Sequence, residues 1–383
     1  MATSYSPKII TDGLVFMYDT DDGKSYKGEP TTNVNTFTLS DSGTDGSGQS
    51  SVGTRTVITD NHVRIVDVAS NTRQTHLITG LTASTTYTVS IMYKKLAGTP
   101  TFRFQIQDYS GSSYLRTIKF TNTSEIGIED KEGWQLASWT FTLGSDANAV
   151  RIWYQDGADY TTYTHSFELQ NPQLEAKSHA TPYVDGTRSA TQGLLDRTGT
   201  STIDLSNASF DSNAQMTFDG TDDYAEVADQ NSLDLTTAMS FEFVVKPDSS
   251  QSNPYPRLID KSVYLLHLTS TSPFGIYQNI YISGGLRQTG ISSVVTAGNW
   301  THIVCTYDGQ YGKIYVDAEL VKTRDFGSVL SCNTNSSSLR IAGDGTTNRP
   351  LNGEMPISKI YNKALTASEV LQNYNATKGR FGL

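Results

Sequence analysis

The stretch GLVFMYDTDDGKSYKG, residues 13–28, reads as the opening strand and turn of a β-sandwich, and the piece that should follow it, MTFDGTDDYAEV, arrives only at residues 216–227. Residues 31–184 between them read as a complete second β-domain spliced into an early loop of the first. The expected organisation is residues 1–30 as the first strand of a host sandwich, 31–184 as a guest, and 185–383 as the rest of the host with a C-terminal helix. A guest is tolerated at such a point because the ends of a sandwich domain often lie close together at its surface.

Working outward, the alternation of apolar and polar residues recurs along most of the chain. In TYTVSIMYKK (86–95), Tyr87, Val89, Ile91 and Tyr93 share one face, while Thr88, Ser90, Met92 and Lys94 share the other. The same period returns at Phe102, Phe104 and Ile106, at Trp139, Phe141 and Leu143, and at Val150, Ile152 and Tyr154. It starts again in the host at Met216 and Phe218, at Phe241, Phe243 and Val245, at Val263 and Leu265, and at Ile314 and Val316. Turn signals such as DGTDD (219–223) and YDGQYG (307–312) punctuate these runs at the spacing of an antiparallel sandwich. The glycine-rich LSDSGTDGSGQSSVGT (39–54) is too polar to pack and reads as a long exposed loop. One helix is expected, in LTASEVLQNYNATKG (365–379), with Thr366 and Glu369 forming a capping box and Gly379 as the stop. The fold class is therefore all-β: two antiparallel β-sandwiches (jelly rolls), one inserted in an early loop of the other, plus one short C-terminal helix.

Composition agrees with that class and narrows the functions. The chain has 383 residues, 36% apolar and 18% charged, which suits two domains of strands with polar outer faces. A formal net charge of −10 with no cluster of lysine and arginine opposes nucleic acid and anionic lipid as partners. The start, MATSYSPKIITDG, lacks the basic and apolar regions of a signal peptide, and no segment approaches ~18 apolar residues, so neither secretion nor membrane insertion is expected. Cys305 and Cys332 cannot form the disulfide framework of a small secreted domain and read as reduced, buried thiols.

Catalytic chemistry is hard to find. No G-x-S-x-G elbow, H-E-x-x-H helix or C-x-x-C pair is present. His302, alternating with Trp300 and Val304, reads as packed or interfacial rather than as a metal ligand, and His165 and His179 lack the partners of a zinc site. Calcium is the metal the pattern leaves open. Asp219, Asp222 and Asp223 cluster in a tight turn, which either holds a cation or uses Asp and Gly for turn geometry.

For sugar binding the informative signal is an aromatic ring on the outward face, because the C–H faces of a pyranose stack on aromatic planes. In AVRIWYQD (149–156) the core phase falls on Val150, Ile152 and Tyr154, which turns Trp153 outward beside Arg151. Trp134 is the second candidate, out of phase with Trp139, Phe141 and Leu143. Such a ring contacts sugar, contacts another subunit or packs within its own domain, and the strand pattern does not choose among these. Trp300 and Trp139 read as core.

Several of these pieces carry a family resemblance. DGLVFMYD, SYKG, FDGTDDYAEV, FEFVVKP, NWTHIVCTYDG, GKIYVD and LNGEMPISKIYNKALTASEVLQNYNATKGRF, in that order, resemble the concanavalin A-like, laminin-G type sandwich found in many phage virion proteins. GWQLASWTFT, AVRIWY and SFELQNPQLEAKSHATPYVDGTRS are similar to jelly-roll carbohydrate-binding modules, the last to a segment that recurs at the ends of such modules in phage tail and fibre proteins. Glu168 and Glu175 lie near where related modules place a structural-calcium carboxylate. Laminarinase-type relatives of the concanavalin fold carry E-x-D-x-E, whose outer carboxylates stand about 5–5.5 Å apart in retaining enzymes; FEFVVKPD offers Glu242 alone, with Val244 where a partner should stand, and Glu242 reads as an outward-facing strand residue.

The resemblance implies a bacteriophage virion structural protein (a head, neck or tail appendage, a fibre or a capsid decoration) that acts by docking on other virion proteins, with host-glycan contact in addition. The alternative is a glycan-binding adhesin for a host surface polysaccharide; a polysaccharide-degrading enzyme is the third and weakest reading. No cofactor is required, a structural calcium aside. A homo-oligomer is expected, packed side by side and burying roughly 800 Å² or more per partner at each contact, assembled in a host cytoplasm and exposed on the particle surface.

Overall fold

A computed structural model of the chain describes residues 8–35, 39, 53–67, 73–97, 102–122, 132–156, 166–210, 216–344 and 349–383. The loop read at 39–54, apart from Leu39, Gly53 and Thr54, lies outside the described residues, as do His165 and the side chains of Phe102, Phe104 and Tyr154. The fold is all-β, built of antiparallel sandwiches, and among the described residues the only α-helix is at the C-terminus. Among the described residues no helix is long and apolar enough to cross a membrane. The chain divides into two compact units, Met1–Pro30 with Arg188–Leu383, and Thr31–Thr187.

In the first unit, Leu14–Asp19 pairs with Asn352–Tyr361, joining the two ends of the sequence in one sheet. That eight-stranded sheet places Met239–Pro247 between Asn352–Tyr361 and Thr301–Tyr307. A seven-stranded sheet, with Arg257–Asp260, Tyr264–Leu268 and Phe274–Ile282 side by side, packs against it. Phe16, Phe218, Phe241, Phe243, Leu266, Ile276, Ile303 and Ile360 fill the space between, where removing each large apolar side chain from water contributes about 1.5–3 kcal/mol. Within this unit Lys27 N–H donates to the Gly193 carbonyl at 2.8 Å and Arg188 Nη1 donates to the Glu29 carbonyl at 3.0 Å, so the two chain segments are tied across the interruption.

The opposite face of the eight-stranded sheet is covered too. The helix Ala367–Phe381 begins at a capping box between Thr366 and Glu369 and lays Val370 against Val304, Tyr315, Tyr361 and Leu365. It runs through Gly379 and ends at Gly382, which adopts φ 68°. The stop expected at Gly379 is thus three residues early, because the left-handed cap falls on the later glycine.

The second unit packs a five-stranded sheet (Gly53–Thr59, His62–Asp67, Ser166–Glu175, Thr86–Ala97, Trp134–Thr142) against a four-stranded one (Arg73–Thr79, Ala149–Asp156, Phe102–Ser110, Ser113–Asn122). Tyr87, Val89, Ile91 and Tyr93 are buried with Ile106, Val150, Ile152, Phe167 and Leu169 in its core. On the other side of that strand Thr88 and Ser90 are also buried; Thr88 Oγ1 lies 2.7 Å from Thr140 Oγ1 and donates to the Lys177 carbonyl at 2.9 Å. The unit's own ends are clasped, Asn33 N–H donating to the Gly186 carbonyl at 2.8 Å.

Candidate functional site

The outward face of the four-stranded sheet is built by register. Val150 and Ile152 are fully buried, so the two-residue period of a strand points Arg151 and Trp153 away from the core. Ala149–Asp156 lies between two neighbours, and across one of them Trp153 stands opposite Gln105, Arg151 opposite Gln107, and Ala149 opposite Tyr109. Directly opposed residues have Cβ atoms about 4.5–5.5 Å apart. The half-buried Trp153 thus stands directly opposite one amide residue, with a second amide and a guanidinium residue in the next pair on the same face, all half-buried.

Hydrogen bonds and ring contacts order the rest of the face. The Arg151 guanidinium carbon sits 4.6 Å from the Tyr109 ring centroid. Tyr109 OH reaches Gln107 Oε1 at 3.4 Å, Gln107 Nε2 reaches Thr117 Oγ1 at 3.4 Å, and the Tyr114 ring meets Tyr109 edge-on at 5.8 Å. Donors and acceptors of this kind beside an aromatic plane can fix the hydroxyls of a stacked sugar. Sequence reading singled out Trp153 and Arg151; it missed Gln105, Gln107 and Tyr109. Their outward phase was visible in FRFQIQDY, but their pairing with Trp153 is a matter of register, which one strand's pattern does not carry.

Trp134 lies elsewhere in the same unit, on the outer face of the five-stranded sheet. Lys94 Nζ stands 5.6 Å from its centroid and His62 meets it edge-on at 5.4 Å. A register row joins Arg64, Glu168, Lys94 and Trp134. Glu168 accepts from Arg64 at 2.7 and 2.8 Å and pairs with His62 at 3.2 Å. Burial alone would raise the Glu168 carboxyl; the bonds from Arg64 and His62 bring it below its usual range. Glu175 is equally engaged, accepting from Thr31 Oγ1, Gln173 Nε2, Thr181 N and Thr181 Oγ1, each at 2.8 Å. Both carboxylates are thus engaged by protein donors, at separate points along Ser166–Glu175.

Asp219, Asp222 and Asp223 do converge, with one carboxylate oxygen of each within 4.8 Å of the others. The turn uses Asp219 and Asp223 internally. Asp223, only 3% exposed, accepts from Ser209 Oγ at 2.8 Å and from Asp219 N–H at 2.9 Å, while Asp219 accepts from Thr221 N–H at 2.7 Å. Burial pushes the Asp223 carboxyl up. Because these bonds already satisfy the turn, adding EGTA is expected to leave the melting temperature unchanged; a clear rise in melting temperature with millimolar calcium would place an ion there.

Glu242 does point away from the sandwich core, but it is not exposed. It is 0% exposed under the C-terminal helix, accepting from Lys359 Nζ at 2.7 Å, His302 Nε2 at 3.1 Å, Asn373 Nδ2 at 2.6 Å and Tyr361 OH at 3.4 Å. Burial would raise its carboxyl, yet the Lys359 ammonium and the His302 bond hold it down to about 2. No second carboxylate stands among the groups bonded to it. His302 is fully buried in this cluster, 5.5 Å from the Tyr374 ring.

Of the tryptophans expected in the core, Trp139 packs against it half-buried, whereas Trp300 lies outside it, against Phe381 at 5.0 Å. The reason is phase: Ile303 and Cys305 take the core side of the strand, so Trp300 shares the opposite side with His302. Cys305 and Cys332 are free and buried, and burial pushes both thiols up, that of Cys332 to about 11.

No curated protein matches the chain. Among solved structures, the binding domain of botulinum neurotoxin DC in complex with rat synaptotagmin II is 13% identical with a TM-score of 0.39, covering 49% of this chain and 50% of that one. The binding domain of Paraclostridial mosquitocidal protein 1 is 13% identical at 0.39, covering 48% and 49%, and that of botulinum neurotoxin serotype G is 14% identical at 0.40, covering 48% of each. The chain spans about half the length of these structures, and at that distance the likeness carries no inference about ligand or partner. Residues 219–371 match the family model described as the concanavalin A-like lectin/glucanases superfamily, laminin G type, and the sandwich that contains them has the concanavalin A-like lectin/glucanase fold.

Proposed function

We propose that this chain is a non-catalytic glycan-binding protein whose inserted, carbohydrate-binding-module-like unit holds a surface polysaccharide on the outer face of its four-stranded sheet. The observation that carries the reading is the placement of Trp153 beside Gln105, Gln107 and Arg151, a ring with amide and guanidinium neighbours on one face. The non-catalytic part is supported by Glu242, which is sealed beneath the helix with its oxygens accepting from four side chains, and by Val244 and Lys246, which stand where E-x-D-x-E would have its middle and second outer acids.

The finer setting is a bacteriophage particle, with the chain as an appendage, fibre or capsid decoration docked on other virion proteins. It rests on the ordered motifs of the host sandwich and on the SFELQNPQLEAKSHATPYVDGTRS segment. A homo-oligomer on such a particle would multiply a weak single-site affinity through effective concentration.

Affinity electrophoresis in gels containing purified host surface polysaccharide tests the reading. Retardation is expected, with Gln105→Ala combined with Gln107→Ala weakening binding about tenfold or more, since each lost hydrogen bond contributes about 0.5–1.5 kcal/mol. No reducing ends should be released. Equal retardation of the double variant would move the site off this face, and release of reducing ends would overturn the non-catalytic reading. Immunogold labelling of intact particles tests the setting: discrete labelled sites on the head, neck or tail are expected, and unlabelled particles with free chain in the lysate would contradict it.

A further inference from the structure

A cleft in the concanavalin A-like unit shares no residue with the Trp153 face. It is open, about 240 Å³ in volume, and lies where the end of the C-terminal helix meets the eight-stranded sheet; its lining includes Thr20, Asp21, Trp300, Glu354, Arg380 and Phe381. That volume is below the ~300–1,000 Å³ of pockets for drug-sized ligands, and suits a single ring.

The cleft's walls are held rigid by a chain of contacts. Trp300 and Phe381 stand 5.0 Å apart with their planes at 57°. A cation sits at each ring, Lys246 Nζ at 4.9 Å from Trp300 and the Arg380 guanidinium carbon at 5.1 Å from Phe381. Each cation is in turn fixed by carboxylate. Lys246 pairs with Glu354, and Arg380 forks onto Asp19 at 2.6 and 2.7 Å while also reaching Asp21 at 2.9 Å. Ion pairs at a surface contribute little to stability, about 0–1 kcal/mol each, so their convergence on one cleft is better accounted for by what they hold in place.

We infer that this cleft binds one neutral, pyranose-sized polyol, with Trp300 and Phe381 against its C–H groups and Asp21 and Glu354 accepting from its hydroxyls. Three carboxylates (Asp19, Asp21, Glu354) against two cations disfavour an anionic ligand. Charged groups around the rim disfavour a wholly apolar one. The carboxylates already face ammonium or guanidinium groups, which leaves no uncompensated cluster for a metal ion; yet a carboxylate has about four lone-pair directions, so Asp21, with its side chain 55% exposed, keeps acceptor capacity towards the cleft. Hydroxyl donors meet that capacity without introducing net charge, and hydrogen bonds to ionised acceptors are the stronger kind.

Titration of the full chain with neutral methyl pyranosides, followed by tryptophan fluorescence, tests the inference. At least one neutral pyranoside is expected to give a saturable change with a millimolar dissociation constant. Asp21→Asn with Glu354→Gln should weaken it at least tenfold at an unchanged melting temperature, while Trp153→Ala leaves it intact. The inference is overturned if no neutral pyranoside saturates below about 100 mM, if only amino sugars or uronates do, or if the response survives the double substitution or disappears with Trp153→Ala alone. Loss in Trp153→Ala would locate all binding in the inserted unit, whereas loss in the double variant alone leaves the Trp153 reading standing.

Discussion

Lys359→Met is expected to destabilise the concanavalin A-like unit by about 3–5 kcal/mol, because it strips the ammonium from a carboxylate that stays buried. Glu242, Lys359 and His302 are all 0% exposed. Leaving one buried charge uncompensated is far costlier than never having built the pair. For a unit of this size that loss lowers the melting temperature by on the order of 10 °C. The C-terminal helix should loosen first, since Asn373 on its inner face donates to Glu242 at 2.6 Å and accepts from Ile10 N–H at 2.7 Å; hydrogen exchange over residues 367–381 would show it. Acid should act through the same group. The Glu242 carboxyl is held down to about 2 in the folded state, below its unfolded range near ~4.3. Its contribution is therefore complete above that range and drains away as pH falls through it towards 2. Glu242→Gln should flatten that part of the stability–pH curve. An unchanged melting temperature in Lys359→Met would mean the pair does not hold the helix.

Trp153→Ala should abolish measurable binding to the surface polysaccharide. An aromatic anchor at the centre of a binding face typically costs 2 kcal/mol or more on truncation, about 30-fold in affinity, and the single sites of a multivalent binder have little affinity to spare. Trp153→Phe should keep part of the binding, because a smaller ring still offers a stacking plane. Stability should change little, since the ring is only half-buried and the core contacts of Val150 and Ile152 remain. Trp134→Ala is the internal control: that ring lies on the other sheet of the unit, engaged by Lys94 and His62, and its loss should leave binding unaltered. Loss of binding in Trp134→Ala alone would transfer the site to the five-stranded sheet.

Alternation made the strands legible, and the outward phase of Trp153 and Arg151 could be read from AVRIWYQD because Val150 and Ile152 are unmistakably core residues. What one strand's pattern lacks is its neighbours. Gln105 and Gln107 join Trp153 only through the register of two strands, Phe102–Ser110 and Ala149–Asp156, that are far apart in the chain, and nothing local encodes that pairing. Glu242 shows the same limit from the other side. Its direction away from the core was readable, but the helix that seals it lies over a hundred residues downstream, and the contact is made by a single asparagine. Trp300 was misplaced for a different reason. Its size suggests a core position, while its phase, shared with His302 against Ile303 and Cys305, puts it on the helix side; phase decides. The helix stop slid from Gly379 to Gly382 because both glycines suit a left-handed cap and only the docked length of the helix selects between them.

Titrating the isotope-labelled chain with an oligosaccharide of the surface polysaccharide, while following the four tryptophan indole N–H resonances, tests the central claim most directly. Binding on the four-stranded sheet should shift or broaden the Trp153 signal in proportion to occupancy and leave Trp134 and Trp139 in place. Saturable binding with Trp153 unmoved, or a shift centred on Trp134, would contradict it.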